Sequence, residues 1–404
     1  MSKLKIVLAL LFCFVVGSAF AQVKVETRRG GGVVCYVKNP NSVAMTDVPV
    51  VLQLENKAYK GALVMDGDVE IASQFDVLDN GVIREVSFVV DLKPKQTRVF
   101  KVYFSVQEVS AARYKYRTGA QMFLREDGQT VPMDEISATE DNMYNKVYPH
   151  GPAFESELAA YRIYFDQKQT VDIYGKVIER LELPDTDWYP SDQQLIDKYG
   201  DDVLYVGGTA GVGTLKGWDG QTIRHIVNMD RRTARILAQG PVRTIVEMEI
   251  EGWDYQDRKI GLTSRYTLYA GHRDAEVLQR FTGDTQGLDF ATGVQKIYRR
   301  SDVKFSDGKG LVADWGRDFP VTDTVKYPQQ TVGMAVNVPE KYVVREAEDK
   351  QNYLYIVRPD ANNEIRYGIS FAAQKEEFGY KTPEQFFEYV RAWKALKPAT
   401  VTVK

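Results

Sequence analysis

The densest group of chemically capable side chains lies between Tyr148 and Lys176. Tyr148-Pro149-His150-Gly151-Pro152-Ala153-Phe154-Glu155-Ser156-Glu157 leads into Ala160-Tyr161-Arg162-Ile163-Tyr164-Phe165, and Val171-Asp172-Ile173-Tyr174-Gly175-Lys176 follows. If 166–170 is the loop of a hairpin, Tyr164 faces Asp172 and Arg162 faces Tyr174. The two-residue repeat of a strand puts these four on one face, with Ile163, Phe165, Val171 and Ile173 on the other. The apolar face is the core side. The polar face then collects an arginine, two phenols and a carboxylate in a wet cleft. His150, Glu155 and Glu157 arrive on the segment that feeds it, and Lys176 closes the second strand. Arginine grips a carboxylate with two parallel hydrogen bonds. A tyrosine or histidine moves a proton once its pKa is brought toward the working pH. A solvated sheet face with cross-strand pairs has the same pattern, so spacing alone leaves both readings open.

His225 and His272 are the other two of three histidines. His272 falls in a tight turn and reads as structural. His225 follows Trp218-Asp219-Gly220 and the stretch Gly207-Gly208-Thr209-Ala210-Gly211-Val212-Gly213. That stretch lacks the Gly-Lys-Ser/Thr ending of a phosphate loop. It reads as a flexible loop lining a cleft, with Trp218 either a stacking platform for a sugar ring or a buried tryptophan beside a turn. The histidines lack the close spacing of a helical zinc motif, so no metal site is assigned. Abundant carboxylates leave room for a structural calcium on oxygen ligands, and no other cofactor is expected. No serine sits in a nucleophile-elbow setting.

The elements that must position these residues are mostly strands. Val242, Thr244, Val246, Met248 and Ile250 alternate with Arg243, Glu247 and Glu249. Leu262–Tyr269 and Ala275–Phe281 form a hairpin through Gly271-His272-Arg273-Asp274. Two helices interrupt the pattern. Ser191 to Gln194 has capping-box spacing and opens a short helix ending near Gly200. Thr382-Pro383-Glu384-Gln385 opens another, to about Leu396, whose Phe386, Phe387, Val390 and Trp393 suit docking on a sheet. Upstream, Val33–Val37, Val48–Leu54, Val86–Val90 and Arg98–Phe104 are short strands separated by turn residues. They predict an immunoglobulin-like β-sandwich over 22–110. Residues 107–145 look irregular and polar, the junction to a larger β domain over 111–404. Alternating strand-helix units are absent, which argues against a doubly wound fold.

The N-terminus carries a leader pattern. Lys3 and Lys5 precede an apolar run, Ile6–Val16, and Ala19-Phe20-Ala21 supplies small residues for cleavage before Gln22. The expectation is a signal peptide over 1–21 and a periplasmic or secreted product. The run is shorter than the roughly 20 residues of a membrane span, and Cys13 lies inside it rather than at a lipid-anchor junction. The whole chain, 404 residues, has net charge −3. Losing two lysines makes it −5, which argues against nucleic acid or an anionic membrane as partner. One cysteine, Cys35, then remains, so no internal disulfide is available. The 24 tyrosines and 18 phenylalanines suit sugar surfaces as well as β cores. Oligomeric state has no signature.

The segments His150–Glu157, Tyr161–Phe165 and Asp172–Lys176, with Gly240-Pro241-Val242-Arg243-Thr244 and Tyr266-Thr267-Leu268-Tyr269-Ala270-Gly271, resemble the domain of unknown function 4861 family. The resemblance implies a secreted protein made beside enzymes for uronic-acid-rich polysaccharides. It also implies the large antiparallel super-sandwich of galactose mutarotases and polysaccharide-lyase β domains, so the expected fold is mainly β with a few short helices. On this basis the expected function is β-elimination on uronate-containing oligosaccharides, as a lyase or dehydratase. Arg162 would take the carboxylate, His150 or Tyr164 would be the base, and Tyr174 or His225 the acid. Glu155 or Asp172 would orient an imidazole, with Glu157, Lys176 and Trp218 also meeting the sugar. The alternatives are an epimerase or mutarotase using His225 or His150 with Glu155, and a carbohydrate-binding protein without turnover.

Overall fold

The computed structural model describes residues 21–25, 31–297, 302–325 and 327–404. Apart from Ala21, the expected leader, with Cys13, lies outside the described residues. Two sheets form the N-terminal sandwich. One holds Ala21–Val25, Met45–Leu54, Ile83–Leu92 and Ser73–Leu78 in that order. The other runs Thr400–Val403, Gly32–Lys38, Thr97–Ser105, Gly61–Asp66, Val69–Ile71. Inward residues of both sheets, among them Val50, Leu52, Val86, Phe88, Phe100 and Val102, bury one core, as alternating strands of a sandwich must. Cys35 lies in it, and burial pushes its thiol up to about 12. The division at residue 110 is not clean. The last strand of the chain returns to pair with Gly32–Lys38, Cys35 opposite Val403, and Ala399 and Val401 join this core.

The rest is built on a nine-stranded sheet that faces a six-stranded and a five-stranded one. Phe154 and Tyr161 of the six-stranded sheet, Met248 and Tyr266 of the nine-stranded and Phe290 and Tyr355 of the five-stranded share a single core. The hairpin through Gly271–Asp274 forms as expected, with Leu268 opposite Ala275. Helix Asp192–Ile196 has the full capping box at Ser191 and Gln194, and ends before Gly200. Helix Pro383–Ala395 starts at the Thr382 cap and lays Phe386, Val390 and Trp393 on Leu311, Ala313 and Trp315. The outer face of the nine-stranded sheet also carries the N-terminal sandwich, through Arg243 on Asp76 and Glu85 and Arg265 on Asp79.

Two expectations fail. Residues 107–145 are not an irregular junction, because they hold strands Thr118–Glu126, Gln129–Pro132 and Glu135–Ala138. Asp127 and Gly128, both with positive φ, make a two-residue hairpin turn there. The glycine-rich stretch is not a loose loop. A side chain at Gly211 would strike the Val171 carbonyl at 2.2 Å, and one at Gly213 would meet Ile369 at 2.2 Å. These glycines let the chain run pressed between sheets, with Val212 fully buried.

Candidate functional site

Strand Ala160–Ile163 pairs with Val171–Gly175, placing Arg162 opposite Asp172 and Ala160 opposite Tyr174. This register is two residues from the expected one. A shift of two leaves every side chain on its own face, so Ile163, Phe165, Val171 and Ile173 enter the core as expected. The other face is not wet. The turn after helix Leu183–Thr186 brings Trp188 over it, and Arg162 is 1% exposed and Asp172 0%.

Arg162 spends the donors of both terminal nitrogens inside this pocket, while its buried Nε–H has no partner among the described residues. One terminal nitrogen donates to the Tyr164 hydroxyl at 2.7 Å, to Asp172 and, at 3.2 Å, to Asp202. The other donates to the Tyr189 hydroxyl at 2.7 Å and the Pro149 carbonyl at 3.4 Å. The guanidinium carbon lies 4.4 Å from the Trp188 ring and 4.6 Å from Tyr164. No open clamp for a substrate carboxylate remains on it. Asp172 accepts from Tyr164 at 3.1 Å, and Asp202 from the Trp188 indole at 3.2 Å. Burial and the charge of Asp172 push Asp202 up to about 8, and burial also raises Asp172. Two carboxylates facing one guanidinium therefore retain a proton between them at neutral pH.

His150 stands at the open side of this pocket. Its carbonyl accepts from the Phe165 amide at 2.8 Å, which ties the segment to the end of the Arg162 strand. Gly151 leaves no Cβ to strike the Ile163 carbonyl, which would lie 1.8 Å away. The imidazole stacks on Tyr144 at 3.7 Å between centroids and meets Tyr189 edge-on at 6.1 Å. Its Nδ1 is 2.7 Å from the Tyr144 carbonyl. A carbonyl only accepts, so Nδ1 carries the proton and the neutral ring presents a bare lone pair at Nε2. Burial lowers the pKa to about 4, and Arg162 and Arg125 add to this, so the ring is neutral at pH 7. The phenols beside it are protonated. Burial pushes Tyr189 up to about 12 and holds Tyr164 well above its ordinary value. The two hydroxyls differ in what they do with their protons. Tyr164 donates to Asp172, whereas the Tyr189 oxygen accepts from Arg162 and its hydrogen has no acceptor among the described residues.

The other expected residues lie elsewhere or are closed off. Tyr174 shares the Arg162 face but is fully buried against Trp188, ring centroids 5.4 Å apart, so it is no open proton donor. Glu155 and Lys176 form a buried pair at 2.6 Å, and Glu155 also accepts from the Glu182 and Leu183 amides. They hold the start of the helix whose following turn carries Trp188. Glu157 accepts from Arg117 and from the Gly271 amide at 2.9 Å, and Arg117 also pairs with Asp47 of the sandwich. His272 is buried at the same junction, 2.9 Å from the Asp47 carbonyl. Trp218 is 3% exposed and packs with Ala210, Ala291 and Leu354, so it offers no open ring face. His225 lines a separate pocket of about 630 Å³ with Trp218, Trp253 and Tyr255, and burial lowers it to about 4. Among the described residues no group of His, Cys, Asp and Glu is arranged to hold a metal ion, and no helix is long and apolar enough to cross a membrane.

Tyr144, Trp188, Tyr189 and Asp202 were not singled out in the sequence. Trp188, Tyr189 and Asp202 all follow Gly175, with Tyr189 27 and Asp202 40 residues from Arg162, while Tyr144 comes from the segment before His150, and no spacing rule relates them.

A solved structure of a protein in the glycosyl hydrolase family 38 from Enterococcus faecalis matches with TM-score 0.46 at 10% identity, over 92% of this chain and 47% of its own. An alpha-mannosidase from Enterococcus faecalis V583 matches with TM-score 0.43 at 10% identity, over 92% and 46%. The chain spans about half the length of these structures. No curated protein matches it. The sequence profile described as Domain of unknown function (DUF4861) matches residues 37–403, from the sandwich strand Gly32–Lys38 to the terminal strand that pairs with it, and the chain belongs to that family.

Proposed function

We propose that this protein is an exported carbohydrate-active enzyme that opens uronate-containing oligosaccharides by β-elimination at the His150–Tyr189 site. The observation that carries the reading is the opposed proton state of two neighbouring groups. His150 offers an unprotonated Nε2, and Tyr189 offers a hydroxyl hydrogen without an acceptor, with 6.1 Å between the ring centroids. Elimination needs this division of labour.

In the reaction, His150 Nε2 takes the proton from C5 of the uronate. The C5–H electron pair becomes the C4=C5 double bond, the C4–O bond breaks, and the departing oxygen takes its proton from Tyr189. The products are an unsaturated uronate and water or a shortened glycan. Solvent then restores both groups. Arg162 acts as a positioning residue: its hydrogen bond at 2.7 Å places the Tyr189 oxygen and stabilises the phenolate left behind. The Asp172–Asp202 pair holds Arg162 in turn.

The test is incubation with ulvan, pectin and glycosaminoglycan oligosaccharides, followed by ultraviolet absorbance and mass. The expected result is a conjugated-alkene absorbance with loss of water or glycan on at least one substrate. No chromophore and no mass change across the panel would remove the proposal. A change of anomer or epimer at constant mass would replace it with a mutarotase or epimerase.

A further inference from the structure

If the substrate is a uronate, as proposed above, its carboxylate must be neutralised before C5 becomes acidic, and Arg162 is not free to do this. We propose that Arg125 binds the sugar carboxylate at this site.

Arg125 lies on strand Thr118–Glu126 and is exposed. Its guanidinium carbon stands 4.3 Å from the centre of the Tyr148 ring. Tyr148 is 6.0 Å from Tyr189, and Tyr189 is 6.1 Å from His150. The arginine thus stands at one end of an aromatic row whose other end is the proposed base. Its charge contributes to the low pKa of His150, which places the two within electrostatic reach. The Arg125 amide donates to the Lys146 carbonyl at 2.8 Å, fixing its strand to the segment that carries Tyr144 and Tyr148.

Nearby cations are already taken. Lys146 holds Glu140 at 2.7 Å and Lys168 holds Asp166 at 3.5 Å. The Arg125 guanidinium has no carboxylate partner among the described residues, so its fork is available. A guanidinium held over a ring without a carboxylate partner still has its fork of N–H donors to meet a carboxylate with two parallel hydrogen bonds. Hydrophobic stacking against Tyr148 also limits the rotamer freedom lost on binding.

The test uses the full chain carrying His150→Gln, which prevents turnover. Calorimetry compares oligosaccharides of galacturonate, glucuronate and iduronate with their carboxyl-reduced neutral twins. Adding Arg125→Gln should weaken the preferred uronate about tenfold to a hundredfold and leave its neutral twin unchanged, and Arg125→Lys should recover only part. If Arg125→Gln binds the uronate as tightly as its parent, or weakens both sugars equally, the assignment of Arg125 is overturned and the site itself stands. If the parent does not prefer any uronate over its neutral twin, by binding both or neither, the uronate reading falls and Arg125 with it.

Discussion

Replacing Arg162 by lysine keeps the charge and removes the fork. In the native protein the guanidinium serves two phenols, two carboxylates and a carbonyl from a position 1% exposed. An ammonium is a single point of three donors. It can meet Asp172 or Tyr189, but it cannot span both sides of the pocket. At least one buried acceptor then loses its partner. Breaking a buried ion pair costs about 3–5 kcal/mol, and retention of the charge places this variant near the lower end. At roughly 1–1.5 °C per kcal/mol, from an unfolding entropy of about 2 cal/mol/K per residue over a 404-residue chain, melting should fall by about 3–5 °C. The loss should grow with pH. Asp202 titrates at about 8 in the fold against 3.8 ordinarily, so its proton-linked contribution is full below the ordinary value and is lost as pH rises through 8. Above that pH both carboxylates are ionised and need the fork most. Melting curves at acidic and alkaline pH on parent and variant read this directly. A change below about 1 °C at both pH values would refute the account of Arg162 as the keystone of a closed pocket.

Two further outcomes follow from the same geometry. Tyr189→Phe should lower kcat by about 10²–10⁴-fold and also lower melting modestly, because the buried Arg162 nitrogen loses its 2.7 Å acceptor at a cost of about 1–3 kcal/mol; steady-state kinetics below the melting range beside a melting curve checks both. The His150 pKa of about 4, set by burial, means that its base form persists as pH falls through the ordinary 6.5 and is lost only near 4. A pH profile of kcat/KM should therefore lack an acidic limb near 6.5. Because the folded pKa is depressed, the stability contributed by the neutral ring is present above 6.5 and is lost as pH falls toward 4.

Much of the fold is legible because strand alternation and helix caps are local. The alternation through Val246, Met248 and Ile250 and the caps at Ser191 and Thr382 each sit within a few residues of what they control. The polar face of Arg162, Asp172 and Tyr174 was legible for the same reason, since a slip of two residues does not change a face. What covers that face was not. Trp188 and Asp202 come from the connection after Gly175, held by the buried Glu155–Lys176 pair, and nothing in their spacing marks them. Tyr189 is one phenol among 24 tyrosines until the fold sets its oxygen on Arg162. The strand Thr118–Glu126 does not alternate, since Met122-Phe123-Leu124 are consecutive apolar residues after a glycine and an alanine, although Asp127-Gly128 is a strong hairpin turn. For Trp218 the sequence leaves a stacking platform and a buried ring beside a turn equally open, and the structure has the buried ring. The glycines before it are where backbones press together, and the indole is buried by the same packing.

The central claim is the split between base and acid, and exchange of the C5 proton with solvent deuterium tests it most directly. A uronate oligosaccharide that the parent eliminates would be incubated in D₂O with the parent, His150→Gln and Tyr189→Phe, and label at C5 followed by NMR. The account predicts that Tyr189→Phe still exchanges C5 hydrogen for deuterium while forming little alkene, because His150 removes the proton and the leaving oxygen goes unprotonated. His150→Gln should do neither. Exchange that survives in His150→Gln, or that disappears equally in a Tyr189→Phe variant that is folded at the assay temperature, would contradict it.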